Sequence, residues 1–110
     1  MIEEKKILTI HIGNTDIYEW TMSEGKRTLM PELLVGCEEL LYNDLDEVKC
    51  VRVEAQIRKE KKAFDFNVQR KSVEDTLDKI LQWALYEEEY EICERVKKLN
   101  EYLEEKENTF

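Results

Sequence analysis

The residues that could do chemistry in this sequence are one histidine, three cysteines and several runs of carboxylates. His11 could serve as a general base or as one ligand of a metal. Zinc sites, however, draw several His or Cys residues at set spacings, and Thr9-Ile10-His11-Ile12-Gly13 offers none beside it. His11 therefore reads as a structural or surface residue. Cys37, Cys50 and Cys93 are odd in number, far apart and without paired spacing, which argues against a disulfide framework. Each stands among apolar neighbours, so buried, reduced thiols are expected, and with them a reducing compartment, the cytoplasm. Glu38-Glu39 and Glu87-Glu88-Glu89 are adjacent acids, but a catalytic carboxylate pair needs burial to separate its two pKa values. On helices such runs are solvated surface. No Gly-rich phosphate loop, nucleophile elbow or Ser/His/Asp set is present. The expectation is a protein that is not an enzyme, with no catalytic residue, no metal and no cofactor.

Charge is the more informative property. The chain of 110 residues has a formal net charge of −9, and 39% of its residues are charged. That balance favours solubility and disfavours non-specific contact with nucleic acid or anionic membrane. Its distribution is uneven. Residues 50–71 hold seven bases (Arg52, Arg58, Lys59, Lys61, Lys62, Arg70, Lys71) against Glu54, Glu60 and Asp65, a local +4. Residues 72–110 hold twelve acids against five bases, a local −7. Hydrophobic residues at 42% are enough for a folded core without disulfides.

The elements that must position these residues can be read from periodicity. Residues 6–12 place Leu8, Ile10 and Ile12 on one face, Gly13-Asn14-Thr15-Asp16 is a turn cluster, and 17–22 alternate with Tyr18, Trp20 and Met22 on one side. Two such runs about a Gly/Asn turn predict a hairpin. Pro31 suits a first helical position, and Leu33, Leu34, Cys37, Leu40 and Leu41 follow as one helical stripe. Gly36 inside that stripe could let the helix sit close to a sheet. Residues 48–58 alternate, with Val51, Val53, Ala55 and Ile57 opposite Arg52, Glu54, Gln56 and Arg58. After Lys59-Glu60-Lys61-Lys62, Phe64, Phe66 and Val68 resume the apolar register, which predicts a second hairpin with one wet face. Ser72 with an acid three residues on resembles a capping box, and Val73, Leu77, Ile80, Leu81 and Ala84 then run at helical spacing. A second stripe through Ile92, Val96, Leu99 and Leu103 differs in phase, placing a break near 87–89, although one long bent helix is also compatible.

The predicted fold is α+β: a four-stranded antiparallel sheet in two hairpins, order ββαββαα, with helices on one face and a helical hairpin at the end. A single domain is expected over 1–106, with sheet and first helix over 5–70, the helical hairpin over 72–104 and a frayed tail over 107–110. The N-terminus reads without a signal peptide, and no run of 18 apolar residues predicts a membrane span.

Within the predicted hairpin, Leu77 to Leu99 resembles the UVR motif, a short helical hairpin of excision-repair subunits and adaptors of Clp-type proteases. Ala84, Tyr90-Glu91, Cys93 and Val96 occupy that motif's positions, while Ile92-Cys93 replaces its paired alanines and Lys97-Lys98 its Arg-Asp. The resemblance covers about a quarter of the chain and implies an antiparallel helix pair that packs against another protein or domain.

The leading expectation is a small, non-catalytic protein-interaction module, an adaptor or regulator with a protein partner. It would act through an acidic helical arm bearing Tyr86, Glu87, Glu88, Glu89, Tyr90, Glu91 and Glu94. The alternative is an acidic nucleic-acid mimic, of phage origin, that inhibits a nucleic-acid-binding enzyme. A third reading is direct nucleic-acid binding through the basic hairpin 52–71 (Arg52, Arg58, Lys59, Lys61, Lys62) with Phe64 and Phe66 beside it. Both phenylalanines share the apolar register and are expected to face the core, which ranks this reading last. No membrane contact is expected, and a homodimer is compatible with the aromatic residues of the first hairpin.

Overall fold

The computed structural model describes residues 7–107. Along the chain run β1 (Leu8–His11), α1 (Ile17–Met22), α2 (Gly25–Tyr42), β2 (Glu47–Ile57), β3 (Glu60–Gln69), a 3-10 turn at Arg70–Ser72, α3 (Val73–Tyr86) and α4 (Tyr90–Glu107). The strands form one three-stranded mixed sheet, order β1-β2-β3, with β1 parallel to β2 and β2 antiparallel to β3. The α+β class stands. The four-stranded antiparallel sheet built from two hairpins does not, because residues 17–22 are a helix.

The reason is local. Asp16 Oδ1 accepts the Glu19 N–H at 3.1 Å, a helix N-cap. Once a helical turn starts there, Ile17, Trp20 and Thr21 share one face at i, i+3, i+4 and are partly buried, while Tyr18 and Met22 point outward. The alternation of Tyr18, Trp20 and Met22 is therefore not the period that decides this segment. With no following strand, β1 cannot close a hairpin. It joins β2 in parallel, from Leu8 beside Val51 to His11 beside Glu54, through a crossover that holds α1 and α2.

α2 begins six residues before Pro31, which lies inside the helix rather than at its first position. A proline there leaves the Arg27 carbonyl without its i+4 donor. Burial of Leu29 in the preceding turn opposes that loss. Gly25 packs under the Trp20 ring, where a Cβ would lie 2.6 Å from the Trp20 carbonyl oxygen, so the corner between α1 and α2 needs glycine.

The second hairpin forms with a tighter turn than Lys59–Lys62. Only Arg58 and Lys59 separate the strands, and Ile57 already pairs with Glu60. A bulge between Lys49 and Val51 shifts the phase of β2 by one residue. Val48 before it, Cys50 within it, and Val51, Val53 and Ala55 after it are thereby all buried. The opposite face is polar: Arg52 Nε and Nη2 donate to Asp65 at 2.7 and 3.1 Å, Asn67 donates to Glu47 at 3.1 Å, and His11 Nδ1 lies 3.3 Å from Glu54 Oε2.

α3 and α4 are two helices joined by a turn at 87–89, where the phases of the two apolar stripes diverge. Ser72 makes no side-chain capping bond; its hydroxyl instead donates to the Gln69 carbonyl at 3.5 Å. Val73, Leu77, Ile80 and Ala84 of α3, with Val96 and Leu99 of α4, close the core against α2 and the sheet. Polar contacts fix the arm as well. Arg95 grips Glu38 of α2 through both carboxylate oxygens, and Tyr102 meets Tyr42 edge-on at 5.1 Å between ring centroids. Of the tail expected over 107–110, Glu107 ends α4 and the last three residues lie outside the described ones, as do Met1 to Lys6. Among the described residues no helix is long and apolar enough to cross a membrane.

Candidate protein-binding groove

In β3, pairing with β2 sets Lys62, Phe64 and Phe66 on the helix side of the sheet, opposite Ala55, Val53 and Val51. α2 covers Val51 and Val53 fully, but the helix layer stops short of the hairpin end of β3. There α1 crosses on one side, and the last turn of α3 brings Trp83 and Tyr86 alongside the start of α2. Two hollows result. One, of about 620 Å³, lies between α1 and β3 around Ile17, Tyr18, Ile57 and Phe64. The other, of about 1000 Å³, lies between the α1–α2 corner and α3 around Met22, Met30, Leu33 and Trp83. Phe66 and Thr21 line both, so the two lie side by side, and together they are called the groove below. Around it Tyr18 is 73% exposed, Met22 57%, Phe64 54% and Tyr86 87%. Phe64 and Phe66 lean on each other, with ring centroids 4.8 Å apart.

The charge of this groove contrasts with that of the chain. Its cations are Lys26, Arg27, Lys62 and Lys79; its carboxylates are Asp16, Glu24 and Glu87. Arg27 lies 3.5 Å from Glu87 across the mouth, and Asp16 is spent capping α1. Lys26, Lys62 and Lys79 make no ion pair among the described residues.

The predicted site residues divide between this groove and its surroundings. Tyr86 and Glu87 form its lip. Glu88 holds a left-handed backbone, φ 59°, at the α3–α4 turn, and the Glu89 N–H caps α3 by donating to the Ala84 carbonyl at 2.8 Å. Tyr90, Glu91 and Glu94 are exposed on α4, outside the groove. Leu85 and Tyr90 add apolar surface to the turn.

The basic hairpin does not assemble as one face. Arg52 is held by Asp65 on the outer side, Arg58 takes φ 59° in the turn beside Lys59, and Lys61 and Lys62 fall on opposite sides of β3. Phe64 faces the helix side as its register requires, yet it is not covered, so the expectation that it lies in the core is corrected.

Sequence reasoning placed Tyr18 and Met22 on a strand face and did not bring them together with Trp83 as groove residues. The signal that could have found them is Asp16 three residues before Glu19, which starts a helix and turns Tyr18 and Met22 outward.

His11 is exposed beside Glu54. Burial pushes the Cys37 thiol up to about 12, with Cys50 and Glu38 adding to the effect, so it stays protonated at neutral pH. Cys50 is also buried, whereas Cys93 is only partly so. Among the described residues no group of three His, Cys, Asp or Glu side chains could hold a metal ion. Compared with known proteins, the chain matches no protein-family model, no curated protein and no solved structure.

Proposed function

We propose that this protein is a small, non-catalytic interaction module that binds a protein partner in the groove between α1, β3 and α3. The observation that supports this most is the ring of exposed Tyr18, Met22, Phe64 and Tyr86 around a floor of Phe66 and Trp83. Exposed apolar side chains gathered about a hollow in this way suit a binding site, and Tyr, Trp and Met are types enriched in the centres of protein interfaces. The helical arm contributes the lip through Tyr86 and Glu87. An adaptor or regulator working in the reducing cytoplasm fits the buried Cys37, whose thiol stays protonated.

The nucleic-acid-mimic reading gains less. Leu85, Tyr86 and Tyr90 interrupt the acids of the arm tip with exposed apolar surface, and Glu87 is drawn toward Arg27. A phosphate-like array would show spaced carboxylates without such interruptions. Direct nucleic-acid binding gains least, because the hairpin bases are split between two faces.

Affinity capture from nuclease-treated lysate of the organism that makes the protein tests the proposal, comparing wild type with a Phe64→Ser/Tyr86→Ser variant. Both side chains are more than half exposed, so the variant should fold. A protein retained by wild type and lost with the variant is the expected result. Identical retention by both, or retention of nucleic acid alone before nuclease treatment, would overturn the proposal.

A further inference from the structure

We infer that the occupant of the groove is an extended, acidic segment of a partner protein, added as a fourth strand to the free edge of β3. The inference rests on the groove being the binding site and names what fills it. Its first support is the edge itself. β3 pairs with β2 on one side only, and among the described residues its other side has no strand partner. It is ten residues long, contains no proline, and the bulge of this hairpin lies on β2, not on β3. Such an edge offers a row of open backbone donors and acceptors, which proteins normally blunt or use.

The second support is where the edge lies. An added strand would run about 4.8 Å from β3, and its alternate side chains would fall on the helix side, level with Lys62, Phe64 and Phe66. Those three residues are the β3 side of the groove. Main-chain pairing and groove filling are therefore satisfied by one segment in one register. A helix laid in the groove would leave the β3 edge open.

The third support is charge. Lys26, Lys62 and Lys79 border the groove without an ion pair among the described residues. A segment alternating aliphatic or aromatic residues with Asp or Glu would cover Phe64 and Phe66 and meet these lysines. A second copy of this chain fits worse, since its own β3 would bring Lys61 and Lys62 to the same edge. The −9 of each copy also opposes self-association.

The test is selection of a random decamer library, displayed on phage, against the immobilised full chain. A selected peptide is then synthesised, titrated by fluorescence anisotropy and added to the 15N-labelled protein for amide exchange. The expected peptides alternate acidic and apolar residues and slow amide exchange along residues 61–67. They should lose binding when alternate peptide amides are N-methylated, and weaken roughly tenfold or more with Lys62→Glu/Lys79→Glu. Circular dichroism melting checks that the variants fold. Peptides that need Phe64 and Tyr86 but are basic, or that leave β3 exchange unchanged, overturn the strand while leaving the groove as binding site. Peptides indifferent to Phe64→Ser/Tyr86→Ser overturn both. No enrichment, or sedimentation of the free protein as a dimer with β3 amides already protected, overturns the acidic-strand occupant.

Discussion

Gly36 of α2 sits so close to Cys50 of β2 that a methyl group at position 36 would overlap the Cys50 sulfur, with Val68 Cγ2 a further 3.2 Å neighbour. The contact sets the spacing of helix and sheet at the middle of the core. In an isolated helix, Gly36→Ala would gain about 1 kcal/mol. Here the overlap with buried, packed atoms should reverse that sign, for a net loss of about 1–3 kcal/mol in urea unfolding. Cys50→Ala removes the sulfur that clashes. The double variant should therefore be more stable than the sum of the two single changes predicts, by about 1 kcal/mol or more. A Gly36→Ala protein as stable as wild type would mean that α2 is free to move away from the sheet.

That same contact shows what was legible in the sequence. A glycine inside the Leu33–Leu41 stripe announces a close approach, and the alternation of Val51, Val53 and Ala55 announces the strand it approaches. Three features were not legible, each for a physical reason. The bulge after Lys49 changes which residues face inward, and no residue type there demands it. Residues 17–22 fit period two and period 3.6 alike, and an Asp three residues before a Glu favours the helix without by itself guaranteeing the cap that forms here. Pro31 looked like a start because its cost inside a helix is evident from sequence, whereas the compensating burial of Leu29 is tertiary. The groove followed from the second of these. Once α1 is a helix crossing the sheet, Phe64 loses the cover that its register promised. The surface position of Tyr86 and Glu87 is legible from local composition alone, because an aromatic beside acids at a helix end is surface in any fold.

Acid should weaken the fold through two exposed pairs. Hydrogen bonding from Arg70 holds the Asp44 carboxyl below the usual carboxylate range, and hydrogen bonding from Arg52 does the same for Asp65. A carboxyl whose pKa is lowered on folding contributes stability above its unfolded value and loses it as pH falls through the folded value. The loss should therefore begin near pH 4 and grow below it, with these pairs contributing no slope at neutral pH. Asp65→Asn and Asp44→Asn should each flatten the fall of the urea midpoint below about pH 4. Both pairs are exposed to solvent, so added salt should shrink the difference between variant and wild type. Slopes unaffected by either substitution would show that other carboxylates govern acid unfolding.

The three thiols should separate by reactivity. With its pKa near 12, Cys37 would be roughly one part in ten thousand thiolate at pH 8, and the thiolate is the reacting form. Cys37 and Cys50 are also buried, while Cys93 is partly exposed on α4. A chromogenic disulfide reagent should therefore report one equivalent from the native protein, removed by Cys93→Ser, and three equivalents in denaturant. Rapid reaction of a second thiol under native conditions would show that the α2–β2 contact opens.

Glu88 should tolerate loss of its charge but not loss of its backbone freedom. Its φ of 59° ends α3 and turns the chain into α4, a conformation that asparagine adopts more readily than glutamate and that β-branched residues resist. Glu88→Asn should leave stability unchanged or raise it by a few tenths of a kcal/mol, whereas Glu88→Val should cost about 1–2 kcal/mol. Equal melting temperatures for the two variants would show that the α3–α4 turn is not held in this geometry.

Docking of the arm should depend on Val96 and, separately, on the shape of one cation. Val96 is fully buried between α4 and the rest of the core. Val96→Asp puts a carboxylate there without a partner, which should cost about 3–5 kcal/mol and detach α4 or unfold the chain. Arg95 lies beside it, holding Glu38 through two hydrogen bonds that raise the already high pKa of the guanidinium. That pair is partly open to solvent, so Arg95→Ala should cost only about 1 kcal/mol. Arg95→Lys should recover little of it, because an ammonium cannot reproduce the two-pronged contact. Urea unfolding of the three variants gives the order. If Val96→Asp melts like wild type, the stripe is not buried; if Arg95→Lys equals wild type, charge alone joins α4 to α2.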